Sequence, residues 1–518
     1  MTRRIAIYDT TLRDGMQGEG MSLSVQEKVR VAQILDGLGV PLIEAGFPTS
    51  NPKELELFEL LREAELRAAV CAFGMTRRRG VAVEEDAALR VLAESWTPVS
   101  TIVGKTWGLH LEKVVRVDRA ENLRMIGESV AFLVAAGKRV IYDAEHFFDA
   151  YRDDAGYALE CLRAALAGGA ENLTLCDTNG ASLPPQVAEA VRAVRAALPD
   201  AALGIHTHND AEVAVANSLA AIAEGAVLVQ GTMNGYGERC GNANLTSIVP
   251  TLQLKLGCAC VPSLEGWTEA SHHVAELLNL TPDPNQAYVG KNAFAHKGGL
   301  HVAGVNVDPA TFEHIDPAVV GNTREVLVSE LSGKGTVLAR AGGELDDATA
   351  ARVIERVKAL EHRGFQFEAA DGSFELLVRR ETGEYEPLFR LESWRVIAEK
   401  REDGHVETEA TIKIWVDGER YVRTAEGVGP IHALDRALRE AISERFPHLS
   451  EIKLVNFKVR LMDEWKATGA TTRVLVDASD GTQTWGAIGV HENVIEASWD
   501  ALVDSIEAGM LRVCEPAS

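Results

Sequence analysis

The chain has 518 residues, 46% of them apolar and 25% charged, the mix of a folded protein with apolar surface for two or three domains. Acidic residues outnumber basic ones by 76 to 52, a formal charge of -24, and a field of that sign repels nucleic acid and anionic lipid, so neither is an expected partner. The seven cysteines are scattered and odd in number, which excludes a secreted disulfide framework; no signal leader and no membrane span is expected, and the cytoplasm is the expected compartment.

The first 250 or so residues alternate short β-rich runs with longer helical ones. Strands are predicted at Ile5–Asp9, Pro41–Gly46, Arg67–Phe73, Val99–Gly104, Arg139–Glu145, Asn172–Thr178, Leu203–Asn209 and Ala226–Thr232. Helical patterns lie between most of them, such as Val25–Leu38, Ala120–Ala136 and Pro184–Ala197, the last with Ser182 as the expected N-cap and prolines in its first turn. Strand alternating with helix implies parallel pairing through right-handed crossovers, and eight such units in about 250 residues match a (β/α)₈ TIM barrel. An open doubly wound sheet is the competitor; the count of eight and the lack of a dinucleotide fingerprint disfavour it.

After the barrel, residues 1–260, come expected flap and linker subdomains over 261–395 and an α+β regulatory or dimerisation domain over 396–518. In that last domain Glu409–Ile442 and Thr471–Ile506 each read strand, Asp-Gly turn, strand, glycine, helix, an apparent repeat of a ββα unit. Cys258, Cys260, His272 and His273 fit no common zinc spacing and are expected to pack in the connecting segment.

Ionisable and polar residues gather where the predicted strands end: Asp9, Glu44, Lys105, Asp143, Glu145, Asp177, Thr178, His206, His208 and the loop Asn234–Asn242. Barrels of this kind carry their active sites at that end. In GIHTHND, His206 and His208 are two apart on a strand, so both face the same way and can share one divalent ion. The bland alternative is one core histidine and one solvent histidine. A metal also wants a carboxylate. In DTTLRDGMQ, Asp14, followed by the permissive Gly15, is the better candidate, and Arg13 stands beside it. The loop NGYGERCGNANL lets backbone approach a ligand closely, and its Asn242 can offer an amide oxygen.

At these residues the chain resembles the metal-dependent aldol and Claisen-type barrel enzymes that include 2-isopropylmalate, homocitrate and citramalate synthases, with hydroxymethylglutaryl-CoA lyase as a relative. DTTLRDGMQ, LCDTNG, HTHND and GYGERCGNANL stand in the expected order, and KNAFAHKGGLHVAGV (Lys291–Val305) resembles the flap those synthases carry after the barrel. YDTTLRDG, YDAEHFFDAY and HIDPAVVGNTREVLVSELSGK are most similar to the longer citramalate-forming members. The resemblance implies that Asp14, His206, His208 and Asn242 bind a divalent cation, one of Mn, Mg, Zn or Co. It implies that Arg13 polarises a 2-oxo carbonyl, that Gln17 and Thr178 also hold that substrate, and that Glu145 and His301 handle protons, in an order the sequence leaves open. It further implies acetyl-CoA as co-substrate and a homodimer in which His301 serves the partner's barrel. Pyruvate is the expected 2-oxo acid, and isoleucine the expected effector of the C-terminal domain.

Other readings are a larger 2-oxo acid giving 2-isopropylmalate or homocitrate, a carbon–carbon lyase, and an inactive regulatory paralogue that keeps the barrel as a scaffold. Two positions depart from relatives: Phe312 stands near where many carry a flap tyrosine, and Asp143 where some pyruvate-specific ones carry a large aromatic residue. For Glu145 the structural alternative is a salt bridge to Arg139 or Lys105.

Overall fold

The computed structural model describes residues 2–48, 51–327 and 346–514. Residues 328–334, the tail of the segment HIDPAVVGNTREVLVSELSGK, lie outside the described residues. The chain divides into two compact units, Met1–Phe294 with Asp316–Thr323, and Ala295–Ile315 with Arg324–Ser518.

The first unit is a closed parallel barrel of eight strands in sequence order. These are β1 (Ala6–Asp9), β2 (Leu42–Gly46), β3 (Ala69–Met75), β4 (Val99–Lys105), β5 (Arg139–Glu145), β6 (Asn172–Asp177), β7 (Leu203–Thr207) and β8 (Leu228–Gly231). β1 pairs with both β2 and β8, which closes the ring. Apart from short helical turns, one helix follows each strand: α1 (Val25–Gly37), α2 (Pro52–Glu63), α3 (Ala87–Glu94), α4 (Arg119–Ala135), α5 (Phe147–Ala167), α6 (Pro184–Ala197), α7 (Ala214–Ala223) and α8 (Leu245–Leu254). A further helix, α9 (Trp267–Leu277), ends the unit's helical part.

The strands are buried on both faces, as parallel strands between a filled interior and a helix ring must be. Tyr8, Leu42, Cys71, Val99, Ile141 and Leu228 form one buried apolar cluster drawn from six of the strands. That plug makes the barrel a packed core, and it leaves the polar residues at the C-terminal strand ends as the floor and wall of an open mouth.

Two local expectations are corrected. α6 is capped by Leu183, not Ser182. Asp177, at the buried end of β6, takes Ser182 for itself: the Ser182 hydroxyl donates to Asp177 Oδ1 at 2.9 Å and the Ser182 amide to Oδ2 at 3.2 Å. A buried carboxylate without donors costs more than an uncapped amide at a surface helix end, so the serine goes to the aspartate. β7 stops at Thr207, and His208 leaves the strand to bridge Asn242.

The second unit opens with β9 (Ala295–His296), α10 (Gly299–Val307) and β10 (Glu325–Val326), where β9 and β10 pair in parallel. α11 (Asp347–His362) and α12 (Asp371–Thr382) follow. Then come two antiparallel three-stranded sheets, each continued by a helix: β11 (Arg390–Lys400), β12 (Val406–Val416), β13 (Glu419–Gly427) with α13 (Pro430–Ile442), and β14 (Lys453–Leu461), β15 (Thr472–Ser479), β16 (Thr484–His491) with α14 (Val494–Cys514). Each expected strand–turn–strand–helix segment thus has a further strand before it. The β12–β13 turn carries Asp417 and Gly418 at φ 48° and 81°, the left-handed pair that a two-residue hairpin demands. Ala410, Ile412 and Ile414 alternate along the buried face of β12 and share one core with Leu434 and Leu438 of α13. Among the described residues no helix is long and apolar enough to cross a membrane.

Candidate active site

The loop after β1 is folded back on one carbonyl. The amides of Arg13, Asp14 and Gly15 all donate to Thr10 O, at 3.2, 2.9 and 3.0 Å. This tight turn drives the Asp14 side chain into the barrel mouth. There Asp14 Oδ2 lies 3.3 Å from His206 Nε2 and 3.9 Å from His208 Nε2, while the two imidazole Nε2 atoms are 3.2 Å apart.

Why the nitrogens face each other follows from what lies behind them. Gln230, on β8, donates through Nε2 to Asp143 Oδ1 at 2.8 Å, which turns its Oε1 toward His206 Nδ1 at 2.9 Å. His206 therefore donates from Nδ1 and presents the Nε2 lone pair to the mouth, the arrangement of a ligating histidine held by an outer partner. All three side chains are buried.

The three groups set one another's protonation. Burial would raise the Asp14 carboxyl, but the Arg13 guanidinium and the hydrogen bond and charge of His206 hold it far below the carboxylate range. Burial would lower His206, and Asp14 outweighs it, so His206 is raised. His208 is pushed down to about 3 by burial and then by the charge on His206. Two imidazoles this close cannot both be protonated. An ionised carboxylate and two imidazole nitrogens that converge on one point are the donors a divalent ion takes, and the residues fit such an ion.

Asn242 comes from the loop after β8. Its amide oxygen is buried with no hydrogen-bond partner, and its Nδ2 donates to Tyr236 O at 3.2 Å. The glycines around it are sterically required. A Cβ on Gly241, at φ 89°, would lie 2.1 Å from Gly235 O, and one on Gly237, at φ 151°, would lie 2.2 Å from Asn242 Nδ2.

Arg13 is fixed on three sides. Its Nε donates to Glu44 Oε2 at 2.6 Å, its guanidinium lies over the Phe73 ring at 4.0 Å, and Nη1 is 3.5 Å from Asp14 Oδ2. Glu44 is held in turn by the Tyr8 hydroxyl at 2.7 Å. Asp143, between Gln230 and Glu44, is pushed up to about 7 by burial first and then by the charge of Glu44.

A cavity of about 270 Å³ brings together Arg13, Asp14, Gln17, Glu145, Thr178, His206 and His208. Glu145 is ion-paired with Lys105, one of the two partners the structural alternative allows; Arg139 pairs with Glu171 instead, at 2.7 Å. Thr178 Oγ1 accepts the His146 amide at 2.9 Å. His301 belongs to the other unit. It lies on α10 in the second unit, exposed, its ring stacked on Phe312 at 4.2 Å. A larger groove of about 760 Å³ shares Phe73, Met75, Val103 and Lys105 with the cavity and is lined also by Arg78, Arg79 and Arg116. Arg77, beside them, is spent on Glu121 and Glu128 at 2.8 and 2.7 Å.

Sequence reasoning missed Gln230, whose one signal is a buried amide inside a strand, and the histidines His110 and His146, which no local spacing marks.

Comparison with known proteins adds to this geometry. Residues 4–266 match the HMGL-like family model, residues 288–364 the homocitrate synthase post-HMGL domain-like model, and residues 368–510 the LeuA allosteric (dimerisation) domain. An (R)-citramalate synthase of Geobacter sulfurreducens is 46% identical over 97% of both chains. The chain belongs to the citramalate synthase family. Other members of that family are as close: the enzyme of Streptomyces coelicolor is 48% identical over 98% of this chain and 96% of its own, and that of Aquifex aeolicus 46% over 99% of both. Relatives this similar along nearly the whole chain disfavour the readings as a 2-isopropylmalate or homocitrate synthase and as an inactive paralogue.

Proposed function

We propose that the chain condenses acetyl-CoA with pyruvate and hydrolyses the resulting thioester, releasing citramalate and CoA. The convergence of Asp14 Oδ2, His206 Nε2 and His208 Nε2 beside the fixed guanidinium of Arg13 carries this reading. Those three side chains would hold the divalent cation, with the Asn242 amide oxygen as the fourth protein donor. When bound, the cation acts as a Lewis acid on the 2-oxo carbonyl and orients the 2-oxo acid.

The residues do the rest. Arg13 keeps its proton at every working pH, so it sets a permanent positive charge where the carbonyl oxygen becomes an alkoxide. Thr178 and Gln17 face the same cavity and would hold the carboxylate of the 2-oxo acid. Glu145, across the cavity, is the base within the barrel unit for the methyl proton of acetyl-CoA, and His301 of α10 the second proton-handling group. The methyl carbon then bonds to C2 of pyruvate, the alkoxide takes a proton, and water cleaves the thioester to carboxylate and thiol. The groove with Arg79 and Arg116, and with Arg78 paired to Asp86 at 3.5 Å, suits the phosphates of the CoA arm, a local positive surface on a chain of net charge -24. Proton NMR of a mixture of pyruvate, acetyl-CoA, cation and protein tests the reading: citramalate must accumulate as pyruvate disappears, and an unchanged pyruvate methyl signal sinks it.

The C-terminal domain supports a regulated homodimer. Val455, Phe457, Val459 and Leu461 alternate along edge strand β14 and are 58%, 42%, 49% and 46% exposed, an apolar stripe suited to a second copy of the same strand. We read the two strand–strand–strand–helix halves as a duplicated sensor for isoleucine, the expected end product. Calorimetry with isoleucine checks this; no heat, and inhibition unchanged on removing residues 405–518, would count against it.

A further inference from the structure

Beside the Asp14 cluster stands a second group of donors, of which only Glu145 enters the chemistry above. His110 ends the short helix Gly108–His110 after β4, Glu145 closes β5, and His146 stands between β5 and α5. One ring nitrogen of each histidine and one carboxylate oxygen of Glu145 lie within 4.8 Å of one another.

Three features of this group are those of a ligand set and not of packing alone. First, His110 Nδ1 is buried with no hydrogen-bond partner. A buried polar atom left unpaired costs about 1–3 kcal/mol, and native structures tolerate few of them without a function. Second, His146 is held in the left-handed region at φ 55°, ψ 34°, a conformation that costs a non-glycine residue energy and is kept where a side chain must point one way. Third, His146 Nδ1 is 3.3 Å from Asp149 Oδ2, and Asp149 is itself anchored by Arg152 at 2.6 Å and Asn179 at 2.9 Å. A carboxylate behind one ring nitrogen fixes the tautomer and leaves the other nitrogen free to ligate, as outer partners of metal histidines do. His110 is held in place as well. Its ring packs 4.2 Å from that of His146 and 5.7 Å from that of Trp107, so it has little freedom to turn away.

What opposes a cation here is Lys105, whose ammonium occupies Glu145. Any ion must displace it, which makes the site weaker than the Asp14 cluster. We propose that His110, Glu145 and His146 form a second, weaker site for a borderline transition cation such as Zn²⁺ or Co²⁺, and that filling it withdraws Glu145 from proton transfer. Two imidazoles with one carboxylate favour such ions over Mg²⁺ or Ca²⁺. The site itself is independent of the citramalate reading; the inhibition it would cause rests on that reading.

The test uses the full-length protein with Zn²⁺ or Co²⁺ alone as the probe, and counts ions per chain by dialysis and elemental analysis. The wild type is expected to bind two equivalents of unequal affinity, and His110→Asn and His146→Asn one each. Retention of that one tight equivalent shows that the variants are folded at the barrel mouth. Lys105→Met, which removes the competitor, is expected to tighten the second equivalent by about tenfold. A single equivalent in both the wild type and Lys105→Met would overturn the proposal, and so would two equivalents in the double variant His110→Asn/His146→Asn. Thiol release should fall as the second equivalent fills. Full rate with two ions bound would remove the inhibitory role and leave the site, whereas no rate at one equivalent with any 2-oxo acid would defeat the citramalate reading and leave the ion count standing.

Discussion

Arg13 and His206 sit 7% to 10% exposed in the same mouth and both approach Asp14 Oδ2, Arg13 at 3.5 Å and His206 at 3.3 Å, but Arg13 has closer anchors elsewhere. Arg13 is clamped by Glu44 and Phe73, neither of which is in the Asp14–His206–His208 cluster. Arg13→Ala should therefore lower kcat by about 10²–10³, the loss seen when one fixed oxyanion donor is removed, with cation content per chain nearly unchanged. Equal loss of both would contradict the role. His206→Ala should lose the cation, and full occupancy would remove it from the ligand set. Gln230 acts one step back. Gln230→Leu frees the imidazole of His206 to rotate and should weaken cation binding by about 10–100-fold, read from a cation titration followed by intrinsic fluorescence or calorimetry. An unchanged titration would show that Gln230 only fills space.

At the scale of elements, β1 and its loop carry a pH-sensitive carboxyl. Asp9 is fully buried and pushed up to about 7 by burial, partly offset by hydrogen bonds from the Thr11 amide and hydroxyl at 2.8 and 2.9 Å. Its folded pKa lies above the unfolded value near 3.9, so the fold favours the protonated form. The stabilisation is complete below the unfolded pKa and is lost as pH rises through about 7. Relative to wild type, Asp9→Asn should thus gain in Tm between pH 5 and pH 8, and parallel Tm curves would refute this. For β14, Phe457→Asp places a charge in the exposed apolar stripe. Sedimentation should show the dimer shift toward monomer, and an undisturbed dimer would place the interface elsewhere.

These elements differ in how far they could be read from residues alone. The barrel strands were legible because parallel strands buried on both faces give short continuous apolar runs between amphipathic helices; β5 starts and stops where the pattern does, at Arg139 and Glu145. β11 and β14 were not, because both are edge strands whose exposed faces mix charged and apolar residues, which blurs the alternation that marked β12. At the site, Arg13, Asp14, Gln17, Glu145, Thr178, His206 and His208 all line one cavity because each lies at the C-terminal end of a barrel strand or in the loop that follows it. Gln230 escaped notice because its importance lies in contacts with Asp143 and His206 on other strands, and His110 and His146 because theirs lies in a contact between the segments after β4 and β5.

For the whole molecule, a net charge of -24 repels both proposed substrates at long range, so local charge must capture them. Arg13 and the cation would do this for the 2-oxo acid, and the arginine groove for CoA. The measurement that bears most directly on the whole account is thiol release from acetyl-CoA by the cation-supplemented protein, with pyruvate, 2-oxoisovalerate and 2-oxoglutarate offered separately. Release with pyruvate at least about tenfold faster than with either larger acid, a difference of ~1.4 kcal/mol in the transition state, is the predicted result. Faster release with a larger acid, or none with any of the three, would contradict it.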